Sequence, residues 1–216
     1  MNRLLKASLV ALLLGSLTAC QSAYYAAWEK VGVEKREILV DRVEDARESQ
    51  QDAEEQFTSA LEEFSALIQF DGGDLEEAYQ SLNDQYEASQ AAAEDVTNRI
   101  VKIESVADAL FDEWEAELEE YSNASLKRTS KQTLSETRLK YNKMVRAMRK
   151  VESSMQPVLS TLQDNVLFLK HNLNASAIGA LQGELNNIER DVKTLLTDMQ
   201  SAIAQSNSFI ADMNGG

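Results

Sequence analysis

The chain has 216 residues with 21 basic and 36 acidic side chains, a formal net charge of −15, one cysteine, one histidine and one proline. That length allows one domain with a sizeable core, and the acid excess argues against a polyanion such as nucleic acid as partner. A single cysteine excludes an internal disulfide, so the fold must hold by packing alone.

Residues 1–19 read as a targeting segment. Arg3 and Lys6 make a basic start, Leu9 to Leu14 an apolar run, and Gly15, Ser16 and Ala19 a small-residue close before Cys20. The run is too short for a spanning helix, which needs roughly 20 residues. Leu17-Thr18-Ala19-Cys20 resembles the lipobox of bacterial lipoproteins. That resemblance implies cleavage before Cys20, a diacylglycerol on its thiol, and an acyl chain such as palmitate on the new amino terminus. Cys20 is therefore the expected lipidation site, with a signal peptide over 1–19, a lipidated anchor and juxtamembrane start over 20–33, and a helical coiled-coil domain over 34–214.

Cleavage removes Arg3 and Lys6 and leaves a net charge of −17. An anionic membrane surface would repel such a protein, so attachment is expected through the acyl chains, each buried methylene contributing about 0.8 kcal/mol. In the sorting of that class an Asp after the cysteine favours the inner membrane. Gln21 and Ser22 follow here, which points to the periplasmic face of the outer membrane. Tyr24, Tyr25 and Trp28 suit a membrane interface, although the i, i+4 spacing of Tyr24 and Trp28 suits packing on the fourth helix equally well.

Glycine and proline are the strongest chain breakers, and eight glycines with one proline predict long uninterrupted elements. The apolar spacing makes them helices. The first seam runs Leu39, Val43, Ala46, Gln50, Ala53, Phe57, Ala60, Phe64, Leu67 in steps of four and three, the mark of a helix packed along its length on a partner. Asp71-Gly72-Gly73-Asp74 ends it, and Asp74 with Glu77 can cap the next helix.

The second seam runs from Leu75 through Tyr79, Leu82, Tyr86, Ser89, Ala93, Val96, Ile100, Ile103, Ala107 and Leu110 to Trp114. Ser122-Asn123-Ala124-Ser125 separates it from the third, which runs from Leu134 through Met144, Met148, Met155 and Val158 to Leu173. Pro157 sits inside this third seam, which continues on both sides, so a kink is expected rather than a break. His171-Asn172-Leu173-Asn174 leads to a fourth seam, from Ile178 to Phe209.

Short connections force neighbouring helices antiparallel. The expected fold is all-α: an elongated antiparallel coiled coil, or bundle of four long helices, the first three of roughly 40 to 48 residues and so about 60 to 70 Å long. Folding the first two helices about Gly72-Gly73 opposes residues whose numbers sum to about 145. Both are then thin at one height, where Ala46, Gln50 and Ala53 face the alanines near Ala92.

Charge is divided along the chain. Residues 21–121 carry net −21 and residues 122–216 net +4. Asp112, Glu113, Glu115, Glu117, Glu119 and Glu120 precede one turn, and Lys127, Arg128 and Lys131 follow it. Each cluster opposes its own helix dipole, so the two are expected to pair across the hairpin and set its register.

Chemistry-bearing patterns are few. Di-iron bundles need Glu-x-x-His pairs on two helices, and the lone His171 reads as a solvated residue, so no metal site is expected. No serine stands in a Gly-x-Ser-x-Gly elbow. No Gly-rich loop suits a phosphate, since Gly72-Gly73 is flanked by acids. The pairs Glu54-Glu55, Glu62-Glu63 and Glu76-Glu77 diverge on a helix. Met144, Met148 and Met155 read as core rather than as an adaptable groove. No enzyme activity and no cofactor are expected.

Lys30-Val31-Gly32-Val33-Glu34-Lys35-Arg36-Glu37-Ile38-Leu39-Val40 and Phe70-Asp71-Gly72-Gly73-Asp74-Leu75 resemble an uncharacterised family of bacterial lipoproteins with coiled coils, a domain of unknown function. The resemblance covers roughly residues 24 to 214 and implies no activity, cofactor or catalytic residue. The expected role is a lipid-anchored envelope scaffold or adaptor that binds other envelope proteins. The alternative is a binding protein for a small apolar or lipid ligand held between the helices. Heptad seams serve pairing within and between chains alike, so they leave the oligomeric state open.

Overall fold

The computed structural model describes residues 34–69, 75–173 and 175–215. Five helices cover most of them: α1 Lys35–Ile68, α2 Leu75–Leu118, α3 Ala124–His171, α4 Ala175–Leu181 and α5 Leu185–Gly215. No strand occurs among the described residues. The expected signal peptide, the expected lipidation site Cys20, the aromatic residues Tyr24, Tyr25 and Trp28, and Gly72-Gly73 with Asp74 lie outside them.

The seams explain why these segments pack. Every residue of the first seam is buried, from Leu39 to Leu67. Ile100 and Ile103 of α2, Met148, Val151 and Met155 of α3, and Leu195 and Met199 of α5 are fully enclosed. Tyr79, Tyr86, Trp114 and Leu185 are half-buried, and Leu173, past the end of α3, is 38% exposed. Around the bundle the neighbours run α1, α2, α3, α5 and back to α1, so α1 and α3 are diagonal.

Cross-helix bonds fix the direction of each neighbour. Between α1 and α2, Ser49 donates to Asp95 at 2.7 Å, Arg99 pairs with Asp45 at 3.0 Å, and Gln56 donates to Gln85 at 2.8 Å. As one number rises the other falls, and the sums stay near the expected value. Arg47 reaches Asn207 at 3.2 Å and Gln200 reaches Glu54 at 3.0 Å, so α1 and α5 are antiparallel too. Lys140–Asp212 and Lys150–Asp198 set the same relation for α3 and α5. The arrangement is up-down-up-down. Phe111 meets Tyr141 edge-on at 5.3 Å, and Tyr141 meets Phe209 at 6.4 Å, tying α2, α3 and α5 together.

Asn123 caps α3, its side chain accepting from the backbone N–H of Ser125 at 2.9 Å and Leu126 at 3.2 Å. Lys170 in the last turn of α3 complements its dipole. The helix passes through Pro157 without a break, with Met155 and Val158 buried on either side and the ring exposed.

Two expectations need correction. The first helix spans 34 residues rather than 40 or more. The fourth is not continuous, because Gln182-Gly183-Glu184 interrupts it. There the N–H groups of Gly183 and Glu184 bond three residues back, to Ala180 and Leu181, instead of four, a local tightening of the 3₁₀ type. Ile178, Leu181 and Ile188 stay buried on both sides of the break, so it leaves the phase of the seam intact.

Candidate functional site

The outward charges were expected to pair across the α2–α3 hairpin, and they do so in part. Lys127 holds Glu119 at 2.9 Å, and Arg138 holds Glu115 while lying 5.0 Å from the centre of the Phe111 ring. Lys35, at the start of α1, holds Glu113 at 2.9 Å. Arg128 and Lys131 make no ion pair among the described residues. Both are exposed, because they lie on the side of α3 away from its seam.

Two further polar clusters join helices. Arg149 of α3 donates to Glu104 of α2 at 3.1 Å and to Glu152 at 2.7 Å, and these bonds raise its already high pKa. Asp198 of α5 is only 6% exposed. Burial alone would raise its pKa, but hydrogen bonds from Lys150 and Ser154, each 2.6 Å, outweigh it and hold the carboxyl below its ordinary value. Asp108 moves the other way, raised by burial and by the neighbouring Asp112 and Glu104. Sequence spacing gave no sign of Asp198, which sits one residue from the seam position Met199.

The thin waist of α1 is buried, with Ala46 at 1%, Gln50 at 0% and Ala53 at 0% exposure. On α2 the corresponding inward residues are small as well, Ser89 at 0% and Ala93 at 4%. Ser89 donates to the Gln85 carbonyl at 2.7 Å, and Ser206 of α5 to the Ala202 carbonyl at 2.9 Å. Gln50 has no such outlet: its amide nitrogen and oxygen are both enclosed without a hydrogen-bond partner among the described residues.

Open grooves follow the helix edges among the described residues. One of about 610 Å³ between α2 and α3 has Tyr86, Gln90, Thr97, Gln156 and Ser160 in its walls and reaches Ala93. A second, about 470 Å³, lies over Leu118, Lys131, Leu134 and Arg138. A third, about 310 Å³, joins Lys35, Trp114, Thr137 and Met213 at the end where α1 begins.

Other residues singled out by spacing fall where a structural role puts them. Met144, Met148 and Met155 are core, each at 1% exposure or less. His171 is exposed at the end of α3, and Glu54-Glu55, Glu62-Glu63 and Glu76-Glu77 point towards solvent or the helix flanks. Among the described residues no group of three or more His, Cys, Asp or Glu could hold a metal ion. Nor is any described helix long and apolar enough to cross a membrane.

The described residues thus form an antiparallel all-α bundle of four passes, joined by ion pairs and amide contacts between helices. A family model described as "Protein of unknown function (DUF2959)" matches residues 24–213, and the chain belongs to that family. No curated protein and no solved structure matches it.

Proposed function

We propose that this protein is a lipid-anchored, non-enzymatic component of the bacterial envelope, a scaffold or adaptor for other envelope proteins on the periplasmic face of the outer membrane. The observation that carries the reading is the core. Apolar side chains fill the four seams along the length of the bundle, so interaction is left to the outer surface. The lipobox residues Leu17 to Cys20 supply the tether.

The test begins at Cys20. Cys20→Ser should abolish incorporation of labelled palmitate and leave the signal segment uncleaved. A chain starting at Gln21 should be helical and should not bind vesicles, since only the acyl chains need a bilayer. Firm vesicle binding by that shortened chain would overturn the reading, as would recovery of the processed protein in the inner membrane for its location. Crosslinking in intact cells should then capture envelope proteins.

A second reading, a binding protein for a small apolar or lipid ligand between the helices, draws on the small-residue waist at Ala46, Ala53 and Ala93. Native mass spectrometry distinguishes them: a retained lipid adduct favours the second, bare protein the first.

A further inference from the structure

The charge on the outside of this bundle is sorted by edge. Helices α1 and α2 together hold 22 acidic and 6 basic side chains. Along the first half of α3, residues 124–151, there are nine basic side chains and one acidic, Glu136. A surface that serves only for solubility intersperses the two signs.

Arg128, Lys131, Lys143 and Arg146 are exposed and make no ion pair among the described residues. Their spacing places them on one stripe of α3 opposite its buried seam. Leu139, 67% exposed, lies in the middle of that stripe. From Arg128 to Arg146 the stripe runs about 27 Å at 1.5 Å per residue.

The diagonal helix carries the opposite sign. Asp41, Asp52, Glu55 and Glu62 of α1 are exposed, make no ion pair among the described residues, and recur on the side of α1 away from its own seam. That stripe spans about 31 Å. Because α1 and α3 are not neighbours, the two stripes face away from each other on opposite edges. They cannot neutralise one another within a molecule.

We propose that the basic stripe of α3 docks on the acidic stripe of α1 of a second copy of this chain. Charge complementarity and matched length select that partner, and Leu139 supplies an apolar contact at the centre. Contact between two different surfaces on opposite edges is head-to-tail. Such contact leaves a free stripe at each end, so it builds open rows unless the rotation between copies closes a ring. The proposal extends the scaffold reading but does not rest on it, since it needs neither the anchor nor another envelope protein.

The experiment is sedimentation of the full chain in a nonionic detergent, over a range of protein concentrations and at two salt levels. In about 20 mM salt the weight-average mass should rise with concentration to several times that of the monomer. In about 0.5 M salt, where exposed charges are screened within a few ångströms, it should return to the monomer. Lys143→Glu with Arg146→Glu should stay monomeric at low salt, and so should Asp52→Lys with Glu55→Lys. Reversing all eight charges in one chain, the four bases of the α3 stripe to Glu and the four acids of the α1 stripe to Lys, exchanges the signs of the two stripes, and association should return.

That rescue separates docking from misfolding, since a damaged fold would not regain it. A monomer at every concentration in low salt overturns the proposal. So does association that survives high salt or ignores the four charges. If the α3 substitutions instead abolish binding of the full chain to vesicles rich in anionic lipid, while the α1 substitutions have no effect on mass, the stripe faces a membrane and self-docking is wrong.

Discussion

Gln50 is the residue at odds with its surroundings. It occupies a seam position between two alanines, fully enclosed, with an amide that has no hydrogen-bond partner among the described residues. A buried donor or acceptor left unmade costs about 1–3 kcal/mol. Gln50→Leu removes both groups at similar volume and should raise unfolding stability by about 1–3 kcal/mol, read as a higher urea midpoint with an unchanged slope. A lower midpoint would mean that the amide has a partner after all. Asp198 behaves oppositely. Its carboxyl is held below the ordinary value of 3.8, so its charge stabilises the fold above that pH, and the benefit disappears as pH falls through the folded value. Lys150 is 68% exposed, which screens that partner and keeps the effect near 1 kcal/mol. Asp198→Asn should be less stable than the parent at pH 7, and the gap should narrow as pH falls below 3.8. A gap constant across that range would assign the loss to packing.

At the scale of elements, the helices and their pairing were legible because steps of four and three leave no other regular structure. The opposed numbers near 145 reappear in Asp45–Arg99 and Ser49–Asp95. The break at Gln182-Gly183-Glu184 was not legible, since Leu181, Leu185 and Ile188 keep the heptad phase across it. The pairing of Arg128 and Lys131 was misread for a related reason. Sequence proximity to an acidic run says nothing about azimuth, and one residue from Lys127 to Arg128 turns the side chain by about 100°. The hairpin should therefore depend on two of its bases and not on their neighbours. Lys127→Glu with Arg138→Glu should lower the melting temperature by a few degrees at low salt and by less at high salt, because exposed pairs are worth roughly 0.2–1 kcal/mol each and are screened. Arg128→Glu with Lys131→Glu should leave it unchanged. Equal losses from both pairs would contradict these ion-pair assignments.

At the scale of the molecule, the division of charge along the chain was legible, but its arrangement by edge was not. Cys20 stands out because the pattern that resembles a lipobox is linear. A surface assembled from the outer sides of diagonal helices has no linear signature: Arg128 and Asp52 belong to one argument only once α1 and α3 are known to lie on opposite edges. The even number of passes has one more consequence. Lys35 and Met213 line the same groove, and Lys140 pairs with Asp212 nearby, so the last helix finishes beside the start of the first. If the proposed anchor at Cys20 tethers the start of α1 to a bilayer, a fluorescent protein fused behind α5 would crowd that same end. The same reporter inserted at Gln182-Gly183-Glu184, an exposed turn at the opposite pole, would ride roughly 45 Å or more away along α5. Two such fusions would turn the bundle into a ruler, with energy transfer to a dye in the membrane telling whether it stands upright or lies flat.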